Sequence, residues 1–225
     1  MLDLKSSGYF MILAGLLLLT RLVPIFANLP EGFTTFPPAT TQDMAILAAH
    51  NTVGYHYSHL MALFALPLMW LGFYAHYQRF NAKGMTKRAT IGIVALTVAA
   101  ILFSIALLID GFLVPIASTE FVNPEMIDKN TALFFAKYSH SLAMTFFTPA
   151  SVFFAIGFGL LAMPMAHGYL HNKWFGFIGI FLANLSLVGY LFNWTLSGMA
   201  LGASVMMLFF IWMFVLGFST LRAHK

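Results

Sequence analysis

Two histidines stand in matching surroundings in an otherwise apolar chain. The stretch from Tyr55 to Trp70 reads YHYSHLMALFALPLMW, and that from Lys137 to Ser151 reads KYSHSLAMTFFTPAS. Each carries Tyr-Ser-His, an apolar run, and a proline eight or nine residues beyond the histidine, His59 to Pro67 and His140 to Pro149. An ionisable group in such a segment is costly to place and reads as functional by default.

Two chemistries follow. His56 and His59 are three residues apart and share a helix face. With Asp110 and His140 they make a His₃Asp donor set acceptable to Zn²⁺, Cu²⁺ or Fe²⁺. Alternatively, His59 and His140, one on each of two parallel helices, hold haem b as axial ligands. Arg21 then faces the haem propionates. Bis-histidine membrane cytochromes are similar in using paired helices of a bundle, a likeness of architecture. Lys137 occupies the place in the second stretch that His56 holds in the first. A cation there is unfavourable beside a metal ion and welcome beside propionates, which tilts the choice to haem. Against both stands a structural role, with the histidines bonded to neighbouring carbonyls and Asp110 paired with Arg21 or Lys137.

The elements that position these groups are set by composition. Of 225 residues, 60% are hydrophobic and 8% charged, which marks an integral membrane protein rather than a soluble domain. Absence of cysteine excludes disulfides, thiolate metal sites and Fe–S clusters. Six apolar spans are expected, at residues 8–27, 45–76, 89–117, 131–163, 175–194 and 199–221, each offering the ~20 residues that cross the hydrocarbon. The fold class is thus an all-α, six-helix transmembrane bundle forming a single domain over residues 1–225. Lys5, Arg79, Lys83, Lys87, Arg88, Lys173, Arg222 and Lys225, eight of eleven basic residues, fall on one side. The positive-inside rule puts that side, with both termini, in the cytoplasm. Arg21 and the poor cleavage site Ile25-Phe26-Ala27 argue that the first span is a retained helix and not a signal peptide.

Counting ~20 residues outward from Tyr74, Ala89 and Met163 brings His56, His59, Asp110 and His140 to one depth near the outer interface, with Arg21 at a similar level. An inner pair, His76 and His167, is the remaining combination for a second haem. These two, with His50, His171 and His224, read as solvated or headgroup-level residues. Tyr9, Trp70, Tyr74, Trp174 and Trp194 read as interfacial anchors, and Asn184 and Asn193 as interhelical hydrogen-bonders. A tight hairpin is expected around residues 195–198, and an irregular cap over 28–43.

Phosphate-binding glycine loops, H-E-x-x-H and G-x-S-x-G are absent. The net charge of +4 comes from loops and does not indicate nucleic acid. The expected function is a redox subunit of the cell inner membrane, carrying haem b and exchanging electrons with quinol or another membrane subunit. A non-haem Cu, Zn or Fe site is the alternative. The third class is non-catalytic, an accessory subunit or a small-solute transporter.

Overall fold

The computed structural model describes residues 3–21, 23–27, 41–192 and 199–222. Every element among them is helical. In chain order these are α1 (Leu4–Thr20), α2 (Val23–Phe26), α3 (Thr41–His50), α4 (Thr52–Ala82), α5 (Thr86–Leu108), a π-helical segment (Ile109–Leu113), α6 (Val114–Val122), α7 (Lys129–Ala166), α8 (Lys173–Phe192) and α9 (Met199–Arg222). Three helices are long and apolar enough to cross a membrane: Thr52–Ala82, the continuous Lys87–Val122, and Lys129–Ala166. Leu4–Thr20, Lys173–Gly189 and Met207–Arg222 are shorter apolar helices.

The expected boundaries shift for identifiable reasons. The helix expected over 45–76 breaks at Asn51, whose side chain accepts from the Gly54 amide (3.0 Å) and donates to the Pro24 carbonyl (2.8 Å). An Asx cap of this kind starts a new helix, which then continues six residues past His76 to Ala82. The first helix stops at Thr20, before Arg21. The third continues past residue 117 to Val122, through the π segment. Pro115 lacks the amide that would bond the Gly111 carbonyl, and its ring crowds that carbonyl. The wider π turn immediately before it absorbs the misfit. Asp128 caps α7, accepting from the Thr131 hydroxyl and the amides of Asn130 and Thr131. These bonds, that from the hydroxyl first, hold its carboxyl below the usual range. The expected hairpin at 195–198 and most of the 28–43 cap lie outside the described residues, as do Trp194, Asn193 and His224.

The chain divides into two compact units, one of Met1–Leu19, Phe64–Ile101 and Thr148–Lys225, the other of Thr20–Leu63 and Leu102–Phe147. The division crosses α4 between Leu63 and Phe64 and α7 between Phe147 and Thr148, beside Pro67 and Pro149. Pro67 leaves the Leu63 carbonyl without its helical amide, so the ladder is weakest there. Sequence charge divides with the units. The first holds eight of the eleven basic residues and one acid, Asp3; the second holds Arg21, Lys129 and Lys137 with the remaining six acids.

In the first unit α5 and α7 meet backbone to backbone. A Cβ on Gly157 would lie 2.7 Å from the Gly92 carbonyl and 2.8 Å from the Leu96 amide. Gly157→Ala should therefore destabilise the protein by about 1–3 kcal/mol, as overpacking does, read as a lower melting temperature in fixed detergent. Phe154, Phe158, Phe209 and Trp212 form an aromatic cluster there, and the indole of Trp212 donates to the Phe175 carbonyl (3.1 Å). Trp70, expected as an anchor, donates to Thr97 Oγ1 (2.9 Å). Asn184 bonds the Ile180 carbonyl of its own helix (2.9 Å) rather than another helix.

In the second unit Ala45, Ala117, Phe121, Ala132 and Ala136 form one core cluster, and Ala48, Tyr55 and Val114 another. Small alanines let α3, α6 and α7 approach, which fixes the helices that carry the polar group described next.

Candidate functional site

Asp110 lies in the π segment, inside the second unit. Its Oδ2 is 3.1 Å from His59 Nε2 and accepts from the Tyr55 hydroxyl at 3.1 Å. Its Oδ1 is 2.9 Å from His140 Nδ1. The side chains of His59, His140 and Asp110 are 11%, 13% and 20% exposed, enclosed but not sealed. The carboxylate therefore bridges the two histidines of the repeated motif, one from α4 and one from α7.

The two copies of Tyr-Ser-His present themselves alike. Ser58 and Ser139 are buried, Tyr57 and Tyr138 are exposed, and each histidine falls between. Helical geometry gives successive residues different faces, so burial of the serine turns its neighbour partly inward. Close contact at His59 depends on Gly111. A Cβ there would be 2.4 Å from His59 Cβ and 2.6 Å from Cγ, so only glycine lets the π segment approach α4 this closely.

His59 Nδ1 lies 2.8 Å from the Tyr55 carbonyl. Both ring nitrogens thus face acceptors, the carbonyl on one side and the carboxylate on the other. A neutral imidazole has one N–H and cannot donate to both. The arrangement is satisfied when an extra proton sits between His59 and Asp110, on the ring or on the carboxyl. His140 differs: its Nδ1 donates to Asp110, and its Nε2 has no hydrogen-bond partner among the described residues.

Asp110, His59 and His140 are thus brought together as their shared depth suggests. His56 is not part of the group. It stacks on Phe112, with ring centroids 5.2 Å apart, and its buried Nε2 has no partner among the described residues. Tyr55 takes the place expected of His56. Its ring stacks on His59 at 4.6 Å because residues four apart lie closer to one helical stripe than residues three apart. Lys137 is exposed. Arg21 is within electrostatic reach of Asp110, and its Nε is buried without a hydrogen-bond partner among the described residues.

An axial bond to haem iron needs a bare imidazole nitrogen. Both nitrogens of His59 face oxygen atoms here, at 2.8 Å and 3.1 Å, and Gly111 lies against its ring, so axial ligation would require His59 to leave Asp110. Nor are any three histidine or carboxylate side chains among the described residues grouped as a metal-ion shell.

A second polar group was not anticipated. His76 and His171, both read as solvated or headgroup-level residues, are buried, His76 fully and His171 to 9% exposure. Their Nε2 atoms are 2.9 Å apart, so His76 pairs with His171 and not with His167. His50 and His167 are exposed, as expected.

No family model matches the chain, and no curated protein or solved structure shows significant similarity to it.

Proposed function

We propose that this chain is a multi-pass membrane protein whose Asp110–His59–His140 group binds and releases a proton, coupled to passage of a small solute. The observation that carries this reading is the position of His59 between two acceptors, which calls for one more proton than neutral rings and a carboxylate hold. Chains of acidic and histidine side chains inside membrane segments mark proton relays in pumps and transporters. His140 is the port. A proton arriving at its Nε2 allows the Nδ1 proton to pass to Asp110, and the carboxylate shares it with His59. Tyr55 and Arg21 steady the carboxylate when it is ionised. Among the classes open to such a protein, proton-coupled transport is the one that uses a titratable site without a haem or a metal ion.

The direct test is differential acid–base titration of purified protein against Asp110→Asn. The wild type should bind about one proton more per chain, and identical curves would refute the reading. A metal reading retains one supporting observation: a carboxylate on Nδ1 that leaves Nε2 free is the arrangement that orients metal-ligating imidazoles. An optical spectrum and elemental analysis decide it. A Soret band lost in both His59→Ala and His140→Ala would establish haem b. A stoichiometric metal lost equally in His56→Ala would establish the non-haem set.

We also propose six spans with both termini cytoplasmic, in the inner membrane. Support comes from the alternation of charge along the chain, with eight of the eleven basic residues at the termini and the 79–88 and 173 connections, and from the positive-inside rule. Reporter fusions after Lys83 and Glu125 should report opposite compartments, Lys83 cytoplasmic. Both in the same compartment would contradict this topology.

A further inference from the structure

The first unit holds a polar chain unrelated to Asp110. Ser7 Oγ donates to the Gly72 carbonyl (2.9 Å) and lies 3.2 Å from His76 Nδ1, which is itself 2.9 Å from the same carbonyl. A carbonyl only accepts, so His76 carries its proton on Nδ1 and turns the bare Nε2 toward His171. The two rings are 24° from parallel with centroids 5.1 Å apart. That separation is the 2.9 Å N···N distance plus about one ring radius at each end, so the imidazoles meet head-on in nearly one plane. A metal ion between in-line nitrogens needs about 4 Å, two Zn–N bonds. The gap here is that of a proton. His171 must therefore donate from Nε2, and it lines an open cleft of about 610 Å³ with Gly168, Leu170, Asn172, Ser219 and Arg222.

We infer that His76 and His171 form a second proton-binding site, a shared-proton pair that takes up one further proton from the cleft. That proton binds at the buried His171 Nδ1, and the Nε2–H···Nε2 bond to His76 survives. The chain ends on the Gly72 carbonyl, which passes no proton on, so the pair stores charge and does not conduct it. A second added proton would set two N–H groups against each other at 2.9 Å and release the loop between α7 and α8. Leu170 in this loop has φ 68°, a conformation costly for a branched residue that the surrounding contacts must hold. The titratable and charged groups on the surrounding described elements include Asp3, one turn before Ser7, Lys5 and Tyr9 on α1, Tyr74, Tyr77 and Arg79 on α4, His167 and Tyr169 in the loop, Lys173 on α8 and Arg222 on α9.

The test is ¹⁵N-imidazole NMR of the full-length protein in nanodiscs across an acid titration, for wild type, His171→Gln and Ser7→Ala. In wild type, two of the eight histidines should show a coupling across the N···N bond and take up one proton jointly. His171→Gln, a loop substitution that spares the buried helices, should abolish the coupling and change the His76 titration. Ser7→Ala should preserve it. Independent titration of the two rings would overturn the inference, as would stoichiometric zinc binding lost in His171→Gln. Asp110→Asn should leave the pair's signals unchanged, which separates failure here from failure of the Asp110 site.

Discussion

Asp110→Ala is expected to lower unfolding stability by about 3 kcal/mol, the lower end for removing one partner of a buried ionic group. The side chains involved retain 11–20% exposure, which argues for that lower end. The loss leaves the Tyr55 hydroxyl and both histidines without their acceptor. Asp110→Asn should behave differently. Its amide oxygen accepts from His140 Nδ1, and its NH₂ group donates to a bare His59 Nε2 and to the Tyr55 oxygen. The Tyr55 hydroxyl keeps Met44 Sδ as its acceptor (3.5 Å) and His59 is neutral, so the cost should be near 1 kcal/mol, yet the extra proton has no place. Chemical unfolding in one detergent, read beside proton titration, separates the two variants. Equal destabilisation with equal proton binding would show that Asp110 is structural glue.

Gly111→Ala should lower both stability and proton binding. The new methyl would meet His59 Cβ and Cγ at 2.4 and 2.6 Å. Those atoms are fixed close to the backbone of α4, so the π segment must draw back. We expect a loss of about 1–3 kcal/mol from overpacking, together with loss of the His59–Asp110 bond and its proton. His56→Ala, one residue outside the bonded group, should leave proton binding intact. Proton stoichiometry after Gly111→Ala equal to wild type would mean that close approach here serves packing alone.

The outline of this site was legible because the chain repeats itself. Tyr-Ser-His occurs twice, and in both copies the buried serine turns the adjacent histidine partly inward. Counting residues from the basic ends brought Asp110 to the same level. The partner choice was not legible. His56 and Tyr55 are adjacent, and only the four-residue spacing to His59 favours the tyrosine. The π segment leaves no mark on an apolar run except Pro115, whose missing amide was available as a signal. His76 was misplaced because α4 continues to Ala82, past the polar residues that suggested a span end. His171 sits in a loop, where periodicity carries no information about burial. The break at Asn51 depends on a cap that closes onto Pro24, a contact across distant sequence.

The claim that the group holds a proton is tested most directly by ¹⁵N NMR of the His59 imidazole in the intact protein at neutral pH. Both nitrogens should be engaged in hydrogen bonds, Nδ1–H to the Tyr55 carbonyl and a proton shared between Nε2 and Asp110, with that shared proton absent in Asp110→Asn. A bare or iron-shifted Nε2 in the wild type, unchanged by Asp110→Asn, would contradict it.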